Sequence, residues 1–68
     1  MMNSKKIKGR IIELGMTMGE VAEKMGLSPY TFGKKISGKS KTYIVEAEKI
    51  AKILKISDND FNEYFFKK

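Results

Sequence analysis

The stretch Thr17–Gly38, TMGEVAEKMGLSPYTFGKKISG, decides how this chain is read. Thr17 and Glu20 stand three apart, so the threonine hydroxyl can accept from the Glu20 N–H while the carboxylate reaches back to the N–H of Thr17. That is a capping box, and Met16 and Val21 flank it as a hydrophobic staple. The helix begun there runs through Ala22 to Met25 and meets Gly26, a residue that adopts the left-handed backbone of a helix end without steric cost. A second start signal follows two residues later. Ser28 is a cap, Pro29 takes the first helical position where its missing N–H costs nothing, and Leu27 can staple to Phe32. Gly38 closes this second helix.

Two short helices about a tight glycine turn, with the small Ala22 where they must approach closely, predict a helix-turn-helix unit over 17–38. A 3.6-residue period turns Val21, Ala22, Met25, Leu27, Phe32 and Ile36 inward and leaves Pro29, Tyr30, Gly33, Lys34 and Ser37 outward. A rigidly backed helix with a non-apolar outer face is suited to a groove.

On either side the apolar spacing stays helical. Ile7, Ile11 and Leu14 share one face after a cap at Asn3 or Ser4, with Gly15 free to take positive φ at the end. Lys39-Ser40-Lys41 reads as a basic loop. After Thr42 a fourth helix is expected to bury Ile44, Ala47, Ile50, Ala51 and Leu54, with Glu48 and Lys52 as an outward i,i+4 pair. Ser57 starts a short fifth helix, with Asp58 and Asp60 in its first turn and Ile56 stapled against Phe61. Nothing alternates with a period of two, so the expected fold is all-α with five helices in a single domain spanning 1–68.

The 68 residues carry 14 Lys and Arg against 8 Asp and Glu, a net charge of +6. The excess is confined to the first part: residues 1–41 hold nine basic and three acidic side chains, residues 42–68 five of each. Such an asymmetry suits a polyanion better than an evenly solvated Lys-rich surface does. The chain has no cysteine or histidine, which removes disulfides, thiol chemistry, the common zinc patterns and the commonest general base. The carboxylates fall in caps or outward pairs, so no catalytic constellation is expected, and neither a metal, a cofactor nor a small-molecule substrate is implied. Charges interrupt the N-terminal apolar residues and no run approaches a membrane span of ~18 residues, so a cytoplasmic protein without a membrane partner is expected. At this length no separate sensor domain is expected either.

Thr17–Gly38 resembles the helix-turn-helix of the phage Cro and repressor family, also called XRE-like, through the capped helix at Thr17, Ala22, Gly26, the Ser28-capped helix and Gly38. The stripe Ile44, Ala47, Ile50, Ala51 and Leu54 is similar to that family's fourth helix, so the resemblance extends over nearly the whole chain. It implies a compact, lambda-repressor-like five-helix domain that acts on double-stranded operator DNA as a transcriptional regulator.

By the same resemblance, base contacts are expected at Ser28, Pro29, Tyr30, Thr31 and Lys34. Lysine can donate to guanine O6 and N7, and tyrosine can donate or pack on a thymine methyl. Phosphate contacts are expected at Thr17, Met18, Lys35, Lys39 and Lys41; at Met18 the family often carries a Gln whose amide serves that purpose. Lys55 stands where the family commonly has Gly, which predicts a fourth helix ending without a left-handed residue. Gly19 and Gly33 each weaken a helix by ~1 kcal/mol relative to Ala, and no local turn asks for either. Gly33 is read as allowing close approach to DNA.

Phe61, Tyr64, Phe65 and Phe66 put four aromatics in six residues. Phe61 is expected inward; Tyr64, Phe65 and Phe66, with Ile53, are expected on an exposed patch where family members commonly dimerise. A two-fold homodimer would set its reading helices one DNA turn apart, ~34 Å. The competing reading is a protein-interaction module on the same fold, an antitoxin or anti-repressor using that aromatic patch. A nonspecific nucleic-acid binder is a third.

Overall fold

The computed structural model describes residues 2–66, and all regular structure among them is helical. The helices are α1 (Ser4–Glu13), α2 (Met18–Met25), α3 (Pro29–Ser37), α4 (Ile44–Ile53) and α5 (Asp58–Phe65). Asn3 caps α1, its side chain accepting from the Lys6 N–H at 3.2 Å. The capping box forms as its spacing dictates: Thr17 N–H donates to Glu20 Oε1 at 2.8 Å and Glu20 N–H donates to Thr17 Oγ1 at 3.1 Å.

One core unites the five helices. Ile7 and Ile11 of α1, Val21, Ala22 and Met25 of α2, Phe32 and Ile36 of α3, Ala47, Ile50 and Ala51 of α4, Leu54, and Phe65 of α5 are all buried. Helix α2 packs against α1, α3 and α4, so the scaffold behind α3 is contributed by most of the chain. Burying each large aliphatic or aromatic side chain contributes roughly 1.5–3 kcal/mol.

Three expectations are corrected. Ile44 is 53 % exposed. The cap of α4 is Tyr43, which puts Ile44 in the first helical position, ahead of the part of α4 that faces the core. The Thr42 hydroxyl donates to the Lys35 carbonyl at 3.4 Å. Lys55 takes φ of +55°, so α4 is followed by a left-handed residue without glycine. Arg10 compensates for the strain, donating from Nε to the Leu54 carbonyl at 2.8 Å and from Nη2 to the Lys55 carbonyl at 3.1 Å. These charge-assisted bonds satisfy carbonyls that the helix end leaves open.

The third correction concerns Phe65, which is buried rather than part of an exposed patch. Four residues after Phe61, it stacks on that ring at 4.6 Å and enters the core. The end of α5 is drawn onto α1: Asn3 N–H donates to the Tyr64 carbonyl at 2.8 Å, Lys6 pairs with Glu63 at 3.2 Å, and the Lys6 ammonium lies 4.9 Å from the Tyr64 ring centre. Tyr64 and Ile53 are partly buried against the core, and Phe66 is exposed.

Candidate nucleic-acid interface

The turn between α2 and α3 is set by local chemistry. Gly26 sits at φ +74°, and the Leu27 N–H closes the turn on the Ala22 carbonyl at 2.9 Å. Ser28 then caps α3, accepting from the Thr31 N–H at 3.1 Å, with Pro29 in the first turn. With Phe32 and Ile36 locked in the core, the opposite side of α3 is presented outward on a fixed axis.

That outer face is built on Tyr30 and Lys34. Tyr30 is 75 % exposed, and the Lys34 ammonium lies 5.3 Å from the centre of its ring. A cation held over an aromatic face is favourable even at an exposed site, so the two arms are pre-arranged side by side. Pro29 is exposed beside them. Ser28 spends its hydroxyl proton on Thr31 Oγ1 at 3.0 Å, which leaves the Thr31 hydroxyl as the free donor of the pair. Ser37 turns back to the Lys34 carbonyl at 3.1 Å. At Gly33 an added Cβ would meet nothing within 4 Å and φ is not positive, so the fold itself does not require glycine there.

The expected phosphate-binding residues divide. Lys39 and Lys41 are exposed on the loop between α3 and α4. The Thr17 hydroxyl accepts within the capping box and keeps its proton for an external partner. Met18 is partly buried against the core and has no donor, so its side chain cannot take the place of an amide. Lys35 is corrected. Its side chain is only 11 % exposed, and its ammonium donates to the Lys41 carbonyl at 2.9 Å and to Glu46 Oε1 at 3.2 Å. The same Glu46 oxygen accepts from the Tyr43 N–H at 3.0 Å. That backbone hydrogen bond first, and the Lys35 ammonium second, hold the Glu46 carboxyl below its ordinary value near 4.5 against the opposing effect of burial.

Tyr43 is the residue missed in reading the sequence. It is 59 % exposed at the start of α4, with the Lys41 ammonium 5.5 Å from its ring centre. Its signal was present as an aromatic directly after a basic loop, KSKTY. Among the described residues no group of three or more His, Cys, Asp or Glu side chains could hold a metal, and no helix is long and apolar enough to cross a membrane.

A capped helix, a left-handed glycine turn and a second helix with a polar, cationic outer face define a helix-turn-helix DNA-binding domain. A family model for the Cro/C1-type HTH DNA-binding domain matches residues 6–67, and the chain belongs to that family. No curated relative and no solved structure matches it. The family is one of DNA-binding regulators.

Proposed function

We propose that this protein is a sequence-specific transcriptional regulator of the Cro or repressor kind, phage or prophage in character, that acts by occupying operator DNA. The observation that carries the reading is the Tyr30–Lys34 pair, an exposed tyrosine with a half-buried lysine over its ring, on a helix whose other side is locked into the core. Laid in the major groove, α3 brings Lys34 to guanine O6 and N7 and Tyr30 to a neighbouring base edge or thymine methyl, with Thr31 and Pro29 at the leading end. Ser28 acts chiefly as the cap that aims them. Thr17, Lys39 and Lys41 take phosphates, adding affinity and salt dependence without sequence information.

The reading includes a homodimer on DNA. The apolar surface left for a second copy is Phe66 with its neighbours Tyr43 and Ile44; Tyr64 and Ile53 are partly buried against the core, and Phe65 serves the core. The same patch is what favours the second reading, an interaction module that binds another protein.

Fluorescence anisotropy with the intergenic duplex beside the gene and a scrambled duplex, at two salt concentrations, tests the proposal. Preference for the native duplex by a factor of ~10³ or more supports a specific regulator. Equal, steeply salt-dependent binding to both identifies a nonspecific binder, and no binding at moderate salt moves the assignment to the interaction module.

A further inference from the structure

The loop Lys39–Thr42 is tied to α3 at every residue. The N–H groups of Lys39 and Ser40 both donate to the Lys34 carbonyl, at 3.0 and 3.2 Å. The Lys41 carbonyl accepts from the Lys35 ammonium at 2.9 Å, and the Thr42 hydroxyl donates to the Lys35 carbonyl at 3.4 Å. On the far side the Lys35 ammonium continues to Glu46, which in turn holds the Tyr43 N–H. One side chain therefore joins three pieces of chain: the reading helix, the basic loop and the first turn of α4.

We infer that Lys35 is a positioning residue for DNA recognition: it latches the Lys39–Thr42 loop to α3, fixing the loop's cations relative to Tyr30 and Lys34, and does not itself bind phosphate. The inference rests on the DNA-binding reading above. To reach a phosphate, Lys35 would have to break two hydrogen bonds and leave the partly buried Glu46 without its cation, and removing one partner from such a pair is costly. Lys39 and Lys41, by contrast, are exposed. With the latch closed, the backbone-binding cations and the base-reading side chains engage DNA in one register, so a correct base contact and a correct phosphate contact are made together.

The test is a double-mutant cycle on operator affinity with wild type, Lys35→Met, Lys41→Ala and the combination, each confirmed folded by circular dichroism and thermal melting. A latch predicts that Lys35→Met costs at least as much affinity as Lys41→Ala and that the combination is no worse than Lys35→Met alone. It also predicts that Lys35→Met and the combination lower the slope of log K against log salt by the same amount, about 0.9, because both lose the Lys41 phosphate, where two independent phosphate contacts would lower it by about 1.8 in the combination. Fold-losses that multiply, with a slope change near two contacts in the combination, overturn the inference. Glu46→Gln reads the same bridge with the opposite sign and serves if Lys35→Met does not fold. It makes the protein more positive, yet a latch predicts weaker operator binding; unchanged or tighter binding overturns it. If wild type shows no operator preference, the DNA-reading proposal fails and this inference with it; wild-type preference with additive losses defeats the inference alone.

Discussion

The outer face of α3 and the surface at the start of α4 and the end of α5 are both exposed, but they leave different chemistry uncovered. On α3 the aromatic is a tyrosine under a lysine, on a helix polar on its outward side and backed by Phe32 and Ile36. At the other surface, Ile44, Val45 and Phe66 expose apolar side chains. The first face can exchange its hydration for phosphates and base edges. The second gains by meeting another apolar surface. Neighbouring residues can belong to opposite sides of this division: Lys34 lies over the exposed Tyr30 ring on the outer face of α3 while Lys35 is folded into an internal bridge, and Phe66 is exposed while Phe65 fills the core.

The largest effect is expected from separating Phe65 from Phe66. Phe65→Ala should cost about 3–5 kcal/mol of stability, enough to unfold much of a small domain, whereas Phe66→Ser should stay within about 0.5 kcal/mol. Chemical denaturation of both variants checks this; equal losses would erase the contrast between the two aromatics. Tyr30→Ala and Lys34→Ala should each cost about 1–3 kcal/mol of operator binding and relax discrimination against scrambled DNA, while their melting temperatures stay near wild type. Anisotropy and thermal melts on the same samples separate the two readouts.

Gly33→Ala sharpens the comparison further, because the protein leaves room for the added methyl. Stability should rise by about 1 kcal/mol, and operator affinity should fall as the helix is kept from its closest approach. A stabilised variant with unchanged affinity would show that DNA does not use the gap.

The smallest effect is expected from acid. Because the folded Glu46 carboxyl sits below its ordinary value near 4.5, its bridge contributes in full above that value. The contribution declines as pH falls toward the depressed folded value and is lost below it. Denaturation from pH 6 down to 3 should therefore show a stability loss that Glu46→Gln makes shallower.

Nearly all of the turn between α2 and α3 was legible from residue order, because caps and left-handed glycines act over three or four residues. Thr17 with Glu20, Gly26, and Ser28 with Pro29 each specify their backbone whatever surrounds them. The outward placement of Tyr30 and Lys34 followed from the period of the helix once Phe32 and Ile36 were assigned inward. Burial at α4 and α5 did not follow in this way. Ile44 satisfies the apolar spacing of α4 yet has no helix over it, and Phe65 looked like surplus until α5 closed against α1 through Asn3, Lys6 and Glu63.

The amino-acid sequence alone determined the helices, the turn and the face that α3 presents, since short-range hydrogen bonding and the 3.6-residue period need only neighbours along the chain. Only the tertiary structure decided which cation is free and which is spent. Lys35 lies eleven residues from Glu46, and Arg10 lies 44 residues from the carbonyl of Leu54 that it satisfies. Whether a charge meets solvent or a partner depends on how separate helices pack, and no local pattern encodes that distance.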